Sequence, residues 1–375
     1  MSVYWLLFFI SLSIVIIEVF FLKPEQISSY VNKSSQYKKK EIVIVLFLLI
    51  PLLVFVSFRD YVLDTIAYVQ TYQELPTNWK QIIDVAKQTN GYAFIIISGL
   101  IKNFISENYY VWFFLLALIN IWCIQDICIR NSPNLALSFY FFIAGTTFTW
   151  CINGTRQFLI VTLLFLCSKI LLDNSNKGKW IYIVLLIGGS YIHASALVLI
   201  PIILFVSSKK IYGKGMILIL MATLVGTVYS DSIIPGVSDI MGKDYTEAFA
   251  IGTGASVIRL LFTCVPTVLV LLNLKHIRKI APPAVIFGIN MSLVGACFMF
   301  AASFTNGILI GRMPIYFTIY NLYVLPWLIY NCYGHIRALV INGFILVYAV
   351  WFYVQMCIAW DNLPYVSYFL KIYEW

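Results

Sequence analysis

Long apolar runs separated by short polar stretches dominate this chain. Runs near the ~20 residues that a helix needs to cross a bilayer lie at about 3–22, 42–58, 111–129, 135–151, 155–172, 215–230, 257–274, 284–304, 312–330 and 338–357. Each predicts a membrane-spanning helix. Two further apolar segments do not fit that scheme. Tyr92 to Phe104 is too short to cross comfortably, and Trp180 to Val206 is too long for one straight span and is broken by Gly188, Gly189 and Ser190.

The polar stretches set the orientation, because Lys and Arg collect in cytoplasmic loops. Lys23, Lys33, Lys38, Lys39 and Lys40 follow the first run, so that loop is expected inside and the N-terminus outside. Alternation then places Arg130, Lys177 and Lys179 inside. Lys209, Lys210 and Lys214 also belong there, so Trp180 to Val206 is expected to enter the membrane and return as two half-helices turning near Gly188 to His193. Irregular backbone at that depth needs protein or a water-filled cavity around it. Lys275, His276, Arg278, Lys279, His335 and Arg337 follow on the inside, while Asp231, Asp239, Asp244, Glu247, Asp361 and Glu374 fall outside. The expected fold is an all-α integral membrane protein, one polytopic domain over 1–375. It has about ten transmembrane helices, a re-entrant helical hairpin, an external interfacial helix, and external loops at 59–110 and 231–256.

Composition agrees. The 375 residues are 61% hydrophobic and 11% charged, against about 25% charged in a soluble domain. The net charge of +9 reads as topology rather than as a nucleic-acid signal. Val3 to Leu22 is longer than a signal-peptide core, lacks a basic leader and shows no small-residue cleavage site, so it is expected to be a retained span. The eight cysteines fall in or beside apolar runs without CxxC spacing, and read as small buried residues rather than disulfides or a zinc site.

The expected topology puts Arg59, Arg156, Arg259 and Arg312 outside, each near a span end and against the positive-inside trend. One such arginine reads as a helix end snorkelling to the interface. Four on one face suit bidentate phosphate binding. Arg156 follows Asn153 and Thr155, either of which can cap a helix starting near Thr155, and an arginine in a helix's first turn makes an anion site. Arg312 likewise opens a span, with Pro314 in its first turn. Of the three histidines, only His193 lies at membrane depth, where it reads as a structural hydrogen-bonder or as a proton acceptor for a hydroxyl. Asp64 reads as an acceptor base or as a salt-bridge partner of an arginine. Aromatics such as Tyr61, Tyr68, Trp79, Tyr109, Tyr110 and Trp112 read as an interface belt or as sugar-stacking rings. No P-loop, dinucleotide fingerprint, HExxH or GxSxG occurs, and Asp60 with Asp64 makes no convincing metal site.

The order Phe58-Arg59, Asp64, Tyr68, then Asn153-Gly-Thr-Arg156-Gln157, then Ile192-His193-Ala-Ser195, then Arg312-Met313 and Tyr316 resembles the EpsG-type family of the Wzy-like bacterial polysaccharide polymerases. The resemblance implies a plasma-membrane glycosyltransferase whose active site faces outside. It would polymerise polyprenyl-diphosphate-linked oligosaccharide repeat units at the outer leaflet into an exopolysaccharide or capsule. It implies no cofactor, no metal and no nucleic acid; the partners implied are the lipid-linked oligosaccharide, membrane lipid and other assembly proteins such as a flippase and a chain-length regulator. Carried over by position, Arg59, Arg156 and Arg312 bind the diphosphate or acidic sugars and His193 or Asp64 is the base; Asn153, Gln157 and Tyr68 of the same motifs and, from its expected place outside, Arg259 complete the expected binding set. Two positions depart from the family pattern: Ala194 stands where many members have a second histidine, and Leu63 where many have glycine. A lipid-linked glycan flippase, a glycan ligase and a membrane acyltransferase are the alternative readings.

Overall fold

Apolar composition makes helices throughout this protein, but few of them at full bilayer length. The computed structural model describes residues 3–18, 35–89, 91–172, 175–230, 232, 254–307, 310–361 and 363–374. Most of the acidic loop 231–256, and most of the lysine loop after the first run, lie outside them. The helices are α1 (Val3–Ile16), α2 (Ser35–Ser57), α3 (Thr65–Glu74), α4 (Trp79–Gln88), α5 (Tyr92–Phe104), α6 (Tyr109–Asn131), α7 (Leu135–Ala144), α8 (Thr155–Cys167) and α9 (Asn176–Ser190). They continue as α10 (Leu199–Phe205), α11 (Lys214–Val228), α12 (Val257–Leu272), α13 (Leu274–Ile280), α14 (Pro283–Phe304), α15 (Ile315–Thr318), α16 (Asn321–Cys332) and α17 (Arg337–Tyr353).

The protein is an all-α membrane protein, with one small departure described below, and the expected ten full spans are not matched by ten full-length helices among the described residues. Among the described residues three helical stretches, 109–131, 283–304 and 334–359, are long and apolar enough to cross a membrane. A fourth counts if α12 and α13, bent by 79°, form one span. The other runs break for local reasons. The run 135–151 stops at Gly145, because Thr146 takes a left-handed φ of 58° before a 3-10 turn. The run 155–172 passes from α8 into 3-10 geometry at Ser168. The run 312–330 is interrupted between a 3-10 turn ending at Arg312, the short α15 and α16. An α-helix rises about 1.5 Å per residue, so the ten residues of α7 reach only about half the hydrocarbon thickness. All ten are buried, which explains an apolar sequence that faces no lipid.

Contacts divide the chain into two units. The first holds Met1–Leu166, Tyr191–His193 and Ile329–Trp375. Within it α1 and α2 pack on α7, and α2 on α6. The stretch 59–110, expected to be an external loop, holds the helices α3, α4 and α5. The amphipathic α4 turns Ile82 and Ala86 onto Leu75 and Ile95, leaving Lys80, Gln81, Lys87 and Gln88 exposed. Lys102, the one charge in α5, folds back and donates to the carbonyls of Tyr72, Gln73 and Leu75 at 3.0, 2.8 and 2.6 Å. These are the free carbonyls at the end of α3, where a cation is also favoured by the helix dipole. Lys102→Met keeps the aliphatic stem and is expected to cost about 2 kcal/mol, read as a lower unfolding temperature of detergent-purified protein. An unchanged temperature would refute the clamp.

The last residues add a feature that the apolar pattern does not signal. Strands β1 (Tyr365–Ser367) and β2 (Ile372–Glu374) form an antiparallel hairpin in the register Tyr365–Glu374, Val366–Tyr373, Ser367–Ile372. Its inner strand also bridges Tyr61.

The second unit holds Cys167–Ser190 and Ala194–Leu328. There α14 packs against α11 and α12. The buried Asn290 of α14 donates to the carbonyls of Ser207 and Lys210 and accepts from the Tyr212 amide, fixing the lysine-bearing turn after α10. Ser208 Oγ donates to the Leu172 carbonyl at 3.1 Å, so the chain that leaves as α9 returns through α10 to its starting end. The long segment 180–206 is thus a helical hairpin whose two basic flanks meet.

Candidate functional site

The site in the first unit begins with a helix end. α2 finishes at Ser57, the chain reverses, and Arg59 turns back under its last turn. Its Nε donates to Thr65 Oγ1 at 3.1 Å, one Nη to Thr155 Oγ1 at 3.4 Å and the other to the Val56 carbonyl. The guanidinium carbon lies 3.7 Å from the centroid of the Phe113 ring. Arg59 is 0% exposed. Burial pulls its guanidinium down to about 10, with Cys151, Tyr365, Tyr68 and Tyr4 acting the other way, so it stays cationic at neutral pH. Thr65 opens α3 beside Asp64, and Thr155 opens α8 beside Arg156. One buried cation therefore ties together the two helix starts that carry them.

Asp64 occupies the N-cap position of α3 but its side chain makes no capping bond, and among the described residues its carboxylate has no partner. It is half-buried. The residue before it, Leu63, has φ 47°. An L side chain costs about 1–2 kcal/mol there, which gives the glycine common in the resembling family a physical reason. Leu63→Gly is expected to raise the unfolding temperature slightly, by the equivalent of at most about 1 kcal/mol once glycine's extra unfolded-state entropy is subtracted. A lowered temperature would refute the strain.

One turn on, Tyr68 packs its ring near Phe94 and Trp112, with centroids 6.3 and 6.4 Å away. Its hydroxyl accepts the backbone N–H of Arg156 at 3.4 Å. That phenol covers one of the free amides of α8's first turn and leaves its own proton to donate outward. The expected cap is corrected here. Gly154, with φ 74°, makes the turn into α8, the Asn153 side-chain oxygen is buried without a partner, and Thr155 Oγ1 is taken by Arg59 and the Cys151 carbonyl. Gln157 is 2% exposed.

Arg156 is half-buried, and its guanidinium lies against Gly91. A Cβ at Gly91 would stand 2.8 Å from an Arg156 Nη and 3.4 Å from the Ile192 carbonyl. Gly91 also has φ 149°, ψ 39°, a conformation that side chains resist. Two residues later the Ala93 amide donates to the Tyr191 carbonyl at 2.9 Å. The start of α5 thus holds Tyr191 and Ile192, and with them the half-buried His193, on the same glycine that receives Arg156.

Of the residues singled out in the sequence, the first unit brings together Arg59, Asp64, Tyr68, Asn153, Arg156 and Gln157 around two helix starts, with His193 next to the Tyr191–Ile192 backbone that meets the start of α5. Arg259 and Arg312 belong to the second unit. There Arg259 is in the first turn of α12, half-buried, with no partner for its guanidinium among the described residues. Arg312 is exposed at the end of its 3-10 turn, and Tyr316 just beyond it shares a 2.8 Å hydrogen bond with Ser195. Sequence reasoning missed Gly91, Thr65 and Phe113, and gave Thr155 a capping role in place of its bond from Arg59. Only Gly91 carries a signal, since Asn90-Gly91 is a turn dipeptide before an apolar helix.

Neither the curated proteins nor the solved structures include a match to this chain. The family comparison does give one, over residues 42–370, a stretch that takes in every motif from Arg59 to Tyr316. By that match this membrane protein belongs to the EpsG family, a family of polysaccharide-polymerase type.

Proposed function

We propose that this protein is a membrane glycosyltransferase that joins polyprenyl-diphosphate-linked oligosaccharide repeat units at the outer leaflet of the bacterial plasma membrane, making an exopolysaccharide or capsule. The observation that carries the reading is Arg156 in the first turn of α8, with Tyr68 on its amide and its guanidinium on the glycine that lies against the Ile192 carbonyl, one residue before His193. A helix start, an arginine and a phenol proton converge where an anion would bind. A titratable imidazole is held nearby.

In the proposed reaction an acceptor sugar hydroxyl attacks the anomeric carbon of the donor. The new C–O bond forms as the bond to polyprenyl diphosphate breaks, and the hydroxyl proton passes to His193 or Asp64. Negative charge grows on the departing phosphate, where preorganised cations and dipoles lower the barrier most. Within the first unit Arg156 is assigned to that diphosphate, with Gln157 in support. The unpartnered Asn153 oxygen is assigned to a donor group of the substrate. Arg59, whose Nε and both Nη atoms are bonded inside the protein, is assigned to positioning the helix starts that carry Asp64 and Arg156.

The test is a deletion strain complemented with Arg156→Ala, Arg312→Ala or His193→Ala, with surface-glycan length read on gels. Arg156→Ala is expected to lower polymer about 100-fold or more while single lipid-linked units remain at the outer leaflet. Units trapped on the inner leaflet would identify a transporter instead.

A further inference from the structure

The hairpin 365–374 is fastened to the loop that carries Arg59 and Asp64. The Asp60 amide donates to the Val366 carbonyl at 2.8 Å, and the Val366 amide to the Tyr61 carbonyl at 3.0 Å. The Asp60 carboxylate, 9% exposed, accepts the Tyr368 amide at 2.7 Å, the Tyr110 hydroxyl at 2.8 and 2.9 Å, and the Tyr109 hydroxyl. No basic side chain pairs with it among the described residues. The Tyr365 hydroxyl adds a bond to the Phe55 carbonyl at 2.8 Å.

The outer side of this hairpin shows aromatic rings. Tyr368, Phe369 and Tyr373 are 60%, 60% and 55% exposed. Phe369 is stacked on Phe58, with centroids 4.2 Å apart and planes at 11°, so one face of its ring is fixed and the other is open. Tyr368 and Tyr373 lie 6.1 Å apart. Lipid is the first occupant to consider for exposed rings on a membrane protein, but two observations speak against acyl chains here. No further strand pairs with the outer edge of β2 among the described residues, and open strand edges do not survive in hydrocarbon. A carboxylate without a cation is also intolerable there. This end of the unit therefore belongs in water or among headgroups, where exposed rings mark a binding surface.

We propose that Tyr368, Phe369 and Tyr373 form a subsite that holds a sugar ring of the growing glycan beside the reaction centre. Sugar rings present a face of C–H groups to an aromatic π-surface, and the platform is pinned to a residue four positions before Asp64. The proposal rests on the polymerase reading and assigns the glycan a second point of attachment.

Tyr368→Ala, Phe369→Ala and Tyr373→Ala are combined in one protein, leaving Asp60 and its backbone partner intact. The probe is a set of two- to four-unit fragments of the host's own surface polysaccharide, added to purified protein and followed by saturation-transfer NMR. Wild type and Arg156→Ala are expected to bind, and the triple variant to bind about tenfold more weakly or not at all. In cells the triple variant is expected to make shorter chains, and Phe369→Trp chains of normal length. Equal fragment binding by triple variant and wild type overturns the subsite, as does lower protein abundance or altered oligomeric state with unchanged chain length. A deletion strain that still makes long chains overturns the polymerase reading instead, and leaves the fragment measurement to stand or fall alone.

Discussion

Arg59→Ala is expected to remove most of the folded protein from the membrane before activity can be asked about. The side chain is wholly buried, and its loss opens a cavity beside Phe113, strands the Val56 carbonyl and removes a donor from the hydroxyls of Thr65 and Thr155. A cavity of that kind with several orphaned polar groups costs about 3–5 kcal/mol, a large share of the roughly 5–15 kcal/mol that holds a domain together. Arg59→Lys keeps the charge but cannot reach three partners from one planar fork, so intermediate abundance is expected. Immunoblots of membranes and fluorescence-detected size exclusion supply the measurement. If Arg59→Ala reached normal abundance and lost only polymer, Arg59 would be a ligand for substrate and the tie between the two helix starts would be wrong.

Gly91→Val is expected to do the opposite, abolishing polymer with the protein still present. Its new side chain would occupy the space of the Arg156 guanidinium and press on the Ile192 carbonyl, in a backbone conformation that strains any side chain by about 1–3 kcal/mol. The guanidinium is the flexible partner and moves first. A displacement of about 1 Å in a positioning group can lower a rate about 100-fold. Gly91→Ala, with its single methyl still inside contact distance of the guanidinium, is expected to leave shortened chains. Full-length polymer from a Gly91→Val strain would show that Arg156 does not work from this position.

The pair divides what was legible from what was not. Arg156 was readable because a helix start can be placed from Asn153-Gly-Thr155 and an arginine in its first turn has a simple electrostatic meaning. Arg59 was readable as special, but its surroundings were not: sequence shows the charge and not the three acceptors, which lie 3, 6 and 96 residues away. The all-helical membrane character follows from composition. Span lengths do not, because Thr146, Ser168 and Met313 end helices inside runs that remain apolar, and an all-buried helix such as α7 has the same composition as one facing lipid. The hairpin at Asp60 left no trace, since Tyr365-Val366-Ser367 and Ile372-Tyr373-Glu374 are too short for a strand pattern to stand out.

That hairpin has a consequence for how the protein is made. Its bonds join Asp60 to Tyr368, Phe55 to Tyr365, and Tyr4 to Pro364, across 308, 310 and 360 positions of sequence. Contacts of such separation form late, because the whole intervening chain must be confined before they are gained. The loop with Asp60 and Asp64 is made early, and Tyr109 and Tyr110 reach the Asp60 carboxylate soon after, yet its backbone bonds to Val366 and the Tyr368 amide's bond to that carboxylate wait until residues 366–368 arrive. A polypeptide arrested just before them carries every helix of the site without its closing stitch.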